Sequence, residues 1–103
     1  MRMGFEVLCI FNEPLTERGI DQFMDSWLNM IRTNNIETGG GCDPNQASFG
    51  ITDRKSDHVS DLKRASVIAW LIENAKPLGA CKITKLIDMD KADEPEELDW
   101  LEL

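Results

Sequence analysis

Gly4-Phe5-Glu6-Val7-Leu8-Cys9-Ile10-Phe11 is rich in β-branched and aromatic residues and reads as a strand. It stops at Asn12-Glu13-Pro14, where proline removes a ladder donor. From Ile20 the apolar period changes. Ile20, Phe23, Met24, Trp27, Leu28 and Ile31 recur at helical spacing and make one stripe. Thr16 is placed as the N-cap, with Leu15 and Ile20 set to pack across the first turn as a hydrophobic staple. A strand, a tight connection and an amphipathic helix therefore open the chain.

Working outward, Thr33-Asn34-Asn35 suits a helix end, because asparagine tolerates the left-handed conformation. Ile36-Glu37-Thr38 reads as a short strand, and Gly39-Gly40-Gly41 as the start of a long hairpin loop through Asp43-Pro44-Asn45. Gln46 to Thr52 alternates, with Ala47, Phe49 and Ile51 on the buried side. Ser60 caps a second helix to about Ala75, whose apolar face is Leu62, Ala65, Ile68, Ala69, Leu71, Ile72 and Ala75, with Val67 and Trp70 at its margin. Ala80 to Ile87 reads as a last strand, with Cys81, Ile83 and Ile87 inward. The order is β-α-β-β-α-β, the split pattern of ferredoxin-like folds: an α/β two-layer sandwich on an antiparallel sheet. Helices then cover Phe5, Val7, Cys9 and Phe11, and the other face shows Leu8, Ile10, Ser48, Gly50, Lys82, Thr84 and Leu86. Leu8 and Ile10 are awkward in water, so Trp100, Leu101 and Leu103 of the tail, or a partner, are expected to cover them.

The 103 residues suit one domain, read as 1–88, followed by an acidic tail, 89–103. The net charge of −8 is unevenly spread. Residues 88–103 carry eight acids against Lys91, which leaves the body at −1. Within the body, residues 1–53 balance to −5 and residues 54–87 to +4, the latter including Arg54, Lys55, Lys63 and Arg64. Three cysteines, an odd number, and the absence of a signal segment point to a reducing, cytoplasmic setting. No apolar run approaches membrane-spanning length, so no membrane partner is expected.

No motif carries catalytic chemistry. Cys9, Cys42, Cys81 and His58 lack the close pairs of a zinc site, so no metal or other cofactor is expected. His58 has Asp57 and Asp61 nearby but no nucleophile motif. The triple glycine is followed by Cys42-Asp43-Pro44 and a strand, whereas phosphate loops run into a helix. RNA-recognition modules of this fold class stack bases on aromatics of the open central strands. Leu8, Ile10, Ser48 and Gly50 provide none, so base-specific recognition is not expected, and nucleic-acid contact falls to Arg54, Lys55, Lys63 and Arg64.

Gly4-Phe5-x-Val7-x-x-x-Phe11, Ile20-Asp21 with Leu28, Gly39-Gly40-Gly41, and Ser60-Asp61 leading to Trp70-Leu71-x-Glu73 together resemble the YggL family. The resemblance spans about residues 4–90. It implies a small bacterial protein associated with the large ribosomal subunit, and these motifs are structural rather than catalytic. This chain has Met1-Arg2-Met3-Gly4 where the family carries a lysine- and arginine-rich extension, and it adds the acidic tail. The reading is therefore of a non-enzymatic binding protein of the translation apparatus, contacting the large ribosomal subunit through a protein surface or through the 54–64 basic cluster. The alternative is an acidic docking module, of inhibitory or immunity type, for a basic protein.

Overall fold

A β-rich stretch, Met3–Phe11, forms the strand around which the sheet assembles in a computed structural model that describes residues 2–91 and 99–103. The elements in chain order are β1 (Met3–Phe11), α1 (Glu17–Thr33), β2 (Ile36–Cys42), β3 (Gln46–Asp53), α2 (Asp61–Trp70), β4 (Gly79–Thr84), β5 (Ile87–Asp88) and β6 (Trp100–Glu102). Among the described residues the result is a mixed α/β structure with two helices and a six-stranded sheet. The sheet order is β2-β3-β1-β4-β6, with β5 also pairing β1. These strands pair antiparallel throughout.

The helix caps follow the sequence. Thr16 Oγ1 accepts the Gly19 N–H at 3.0 Å, and Ser60 Oγ accepts the Lys63 N–H at 3.2 Å. Asn35, with φ of 56°, turns the chain out of α1. Phe5, Val7, Cys9, Ala47, Phe49, Ile51, Cys81 and Ile83 are buried on the helix side of the sheet, as their alternation requires. Trp27 of α1 is fully buried and stacks on Phe49 at 4.2 Å, and Trp70 meets its edge at 5.2 Å.

Three expectations need correction. First, Gly39-Gly40-Gly41 is strand rather than loop, paired opposite Gly50, Phe49 and Ser48, and the connection shrinks to Asp43-Pro44-Asn45. Gly40 needs its glycine, because φ is +104° and a Cβ would run into the Ser48 carbonyl. We expect Gly40→Ala to cost about 1–3 kcal/mol, read as a lower urea midpoint at unchanged slope.

Second, the buried side of the second helix is Val67, Leu71 and Ala75, while Leu62 and Ile72 are 79% and 53% exposed. Apolar residues surround most of this helix, so periodicity does not single out the side that packs. The helix also changes pitch: α2 widens into a π-helical turn over Leu71–Ala75 and then tightens into a 3-10 turn over Lys76–Leu78, where Pro77 ends it.

Third, the last predicted strand breaks after Thr84. Ile83 lies opposite Val7 but Ile87 lies opposite Gly4, so the later segment carries one extra residue, a β-bulge. The slip reverses the faces that alternation assigns beyond it. Leu86 packs on the core, and Ile87 sits opposite Gly4. Thr84 is fully buried at the bulge, where its Oγ1 accepts the Glu6 N–H at 2.9 Å.

Candidate functional site

Arg54, Lys55, Lys63 and Arg64 lie near the junction of β3 and α2, but they are not four equivalent cations. Arg54 and Lys55 are exposed in the bend that follows β3. Lys63 donates to Asp53 Oδ2 at 2.8 Å, where Asp53 is only 5% exposed. Arg64 donates to the Thr84 carbonyl at 2.9 Å, and its guanidinium lies over the Phe5 ring at 5.7 Å. Two of the four are thus tied into the body of the protein, and Arg54 and Lys55 project from it.

Asp53 organises this corner. Its Oδ1 accepts the N–H groups of Lys55 at 2.9 Å and Ser56 at 3.2 Å, which folds the bend carrying Arg54 and Lys55. The Lys63 ammonium, followed by the Lys55 N–H, holds the carboxyl below the usual carboxylate range. Arg2 donates to Thr52 Oγ1 and to the Asp53 carbonyl, both at 3.1 Å, and lies 3.4 Å from Glu37. Sequence reading misses Arg2, whose partners lie far along the chain. It also misses Asp53, whose turn with Lys55 and Ser56 is local but whose pairing with Lys63 and burial are not.

The sheet face opposite the helices carries the second candidate. Leu8 is half-buried and Ile10 is 44% exposed. With Lys76, Ala80, Lys82 and Leu103 they border a hollow of about 340 Å³. The tail does return to the sheet, but as an edge strand rather than a cover. Among the tail residues expected to cover Leu8 and Ile10, Leu103 lines this hollow, whereas Leu101 remains 55% exposed. Trp100 comes to the same face, opposite Thr84, and the Lys82 ammonium lies 4.9 Å from its ring centroid. An aromatic thus joins the open face from the tail, beyond the central strands on which stacking residues are expected. A second hollow of about 360 Å³ on this face is bordered by Glu6, Gly39, Ser48, Gly50 and Met89. Burial raises the Glu6 carboxyl above its ordinary value there.

The cysteines fall in one cross-strand row, Cys81 opposite Cys9, Cys9 opposite Ala47, and Ala47 opposite Cys42. His58 lies elsewhere, bridged through its backbone to Met3. Among the described residues no group of three metal-binding side chains comes together. A hydrogen bond with Cys81, then burial, pushes the Cys9 thiol up from its ordinary range. Cys42 is half-exposed while Cys9 and Cys81 are buried. We expect a maleimide to label Cys42 first in the folded protein, and mass spectrometry of the singly labelled species checks this. Equal labelling of all three would contradict the packing. Among the described residues no helix is long and apolar enough to cross a membrane.

Comparison with known proteins adds one finding. A family model described as YggL 50S ribosome-binding protein matches residues 1–90. No curated protein and no solved structure matches the chain.

Proposed function

This chain belongs to the YggL 50S ribosome-binding family, and we propose that it is itself a binding protein of the large ribosomal subunit. The observation that carries the reading is the extent of the family match, which takes in both helices and all of β1 to β5. The role is binding rather than catalysis, and it is exercised in the cytoplasm. Residues 1–88 act as the binding domain, with 89–103 as an appended acidic segment. We take its core to be a ferredoxin-like sandwich, a reading supported by the order β2-β3-β1-β4 with antiparallel neighbours.

Within that role, Arg54 and Lys55 are the cations we assign to the ribosomal surface. They are exposed, adjacent and held on a bend fixed by Asp53, whereas Lys63 is engaged by Asp53 and Arg64 by the Thr84 carbonyl. Such contacts release counterions, so association should fall steeply with salt. Exchanging both for glutamate should weaken binding to purified large subunits about tenfold or more at about 50 mM salt, and flatten the salt slope. An unchanged affinity and slope would remove these residues from the interface. The acidic docking reading has less support: Asp99 lies 3.4 Å from the chain's own Lys85, and the acids between residues 92 and 98 lie outside the described residues.

A further inference from the structure

The outer edge of β4 belongs to the family-matched domain, but the strand that occupies it does not. The match ends at residue 90, and β6 is Trp100–Glu102. This strand pairs Glu102 with Lys82, Leu101 with Ile83 and Trp100 with Thr84, and the Leu103 N–H donates to the Cys81 carbonyl at 2.9 Å. Three lysines along this edge each meet the tail. Lys85 lies 3.4 Å from Asp99, Lys82 stands over the Trp100 ring, and Lys76 donates to the Leu103 carbonyl.

We propose that the β4 edge is an acceptor site for an extended, acidic peptide segment of a partner protein, and that Asp99–Leu103 is the chain's own exchangeable occupant. Four features fit this arrangement. An unpaired strand edge offers backbone donors and acceptors that only another strand satisfies in series, which a polynucleotide cannot do. Lys85 already meets an acid, Asp99, and Lys82 and Lys76 add positive charge along the edge, which favours an acidic occupant. The hollow lined by Leu8, Ile10, Ala80 and Leu103 lies beside the edge and offers a seat for an apolar partner side chain. Finally, the resident strand is short and weakly held. It has three residues, Leu101 is 55% exposed, and the Lys85–Asp99 pair is 78% exposed on both sides. Exposed pairs of this kind contribute little, so its hold comes from a short ladder, from Leu103 packing at the core margin, and from covalent attachment, which keeps it at high local concentration. A longer partner strand would displace it.

The test uses the full chain and a fluorescent peptide with the sequence of residues 96–103, Glu-Glu-Leu-Asp-Trp-Leu-Glu-Leu. Leu101→Pro removes a ladder donor from the resident strand at an exposed position and should free the edge. Peptide affinity, followed by anisotropy, should rise about tenfold or more over the unsubstituted chain, because the tethered competitor is gone. Adding Lys82→Glu and Lys85→Glu should abolish the gain. If Leu101→Pro perturbs folding, seen in the far-ultraviolet dichroism, the pair Asp99→Lys and Trp100→Ala makes the same comparison. Equal peptide binding with and without the resident strand would overturn the proposal. Displacement of the peptide by an RNA oligonucleotide would overturn it in favour of polyanions. Concentration-dependent dimerisation of the freed chain would overturn it in favour of a second copy. The inference does not rest on the ribosomal reading, since no ribosome enters the assay.

Discussion

Trp27→Ala should lower the stability of the domain by about 3–5 kcal/mol, a large part of the roughly 5–15 kcal/mol such domains possess. Trp27 is fully buried at the centre of the α1 stripe. It stacks on Phe49 with an interplanar angle of 17° and receives Trp70 edge-on at 69°, while Phe23 packs beside both at 6.5 Å from Phe49 and 5.4 Å from Trp70. Truncation removes the largest fully buried side chain and leaves a cavity between α1 and β3 that rigid neighbours cannot close. The indole N–H is buried without a hydrogen-bond partner among the described residues, so Trp27→Phe forfeits volume but none of the polar contacts described. We therefore expect the phenylalanine variant to retain most of the stability. Thermal unfolding checks both, with a midpoint drop of about 15 °C or more for alanine. Equal losses in the two variants would show that packing at this site is not what matters.

Asp53→Asn should cost about 1.5–3 kcal/mol at neutral pH, the range for a hydrogen bond made to a charged group. The asparagine keeps an oxygen for the Lys55 and Ser56 N–H groups but loses the charge that Lys63 meets at 2.8 Å. The sign of the pH dependence follows from the depressed carboxyl. The unfolded chain carries an aspartate of ordinary value, about 3.9, while the folded one sits lower, so its contribution is complete above that ordinary value. It is lost as pH falls through the folded value. The stability gap between the unsubstituted protein and the Asp53→Asn variant in urea unfolding should therefore be widest near neutrality and narrow below about pH 4. A gap that stays constant down to about pH 2 would mean that the ion pair contributes nothing.

The legible parts of the chain are those in which local chemistry and burial agree. The period of α1, its Thr16 cap and its Asn34-Asn35 exit all point to one helix. Phe23, Trp27 and Ile31 of the stripe are buried, but Leu28 is 40% exposed and Met30, outside the stripe, is buried instead. The alternation of β1 and β3 names the core side chains for the same reason. Where several faces are apolar, as on α2, the tertiary partner decides, and Val67 rather than Leu62 is buried. The glycine run reads as a loop because glycine is a poor strand former, but pairing with β3 overrides that preference at the sheet edge. The bulge after Thr84 cannot be read at all, since one extra residue leaves alternation looking intact on either side. At the candidate site, sequence identifies the cations but not their employment. Lys63 is committed by Asp53, ten residues away, and Arg64 by Thr84, twenty residues away. Such long-range partners leave no local pattern.

The most direct test of the ribosomal account is sedimentation of the tagged 103-residue chain in cell lysate through sucrose gradients at about 50 and about 200 mM salt. The account predicts co-migration with the large subunit at the lower salt, a strong reduction at the higher, and a weaker signal at both when Arg54 and Lys55 are exchanged for glutamate. Recovery of the unsubstituted protein only at the top of the gradient in both conditions would contradict it.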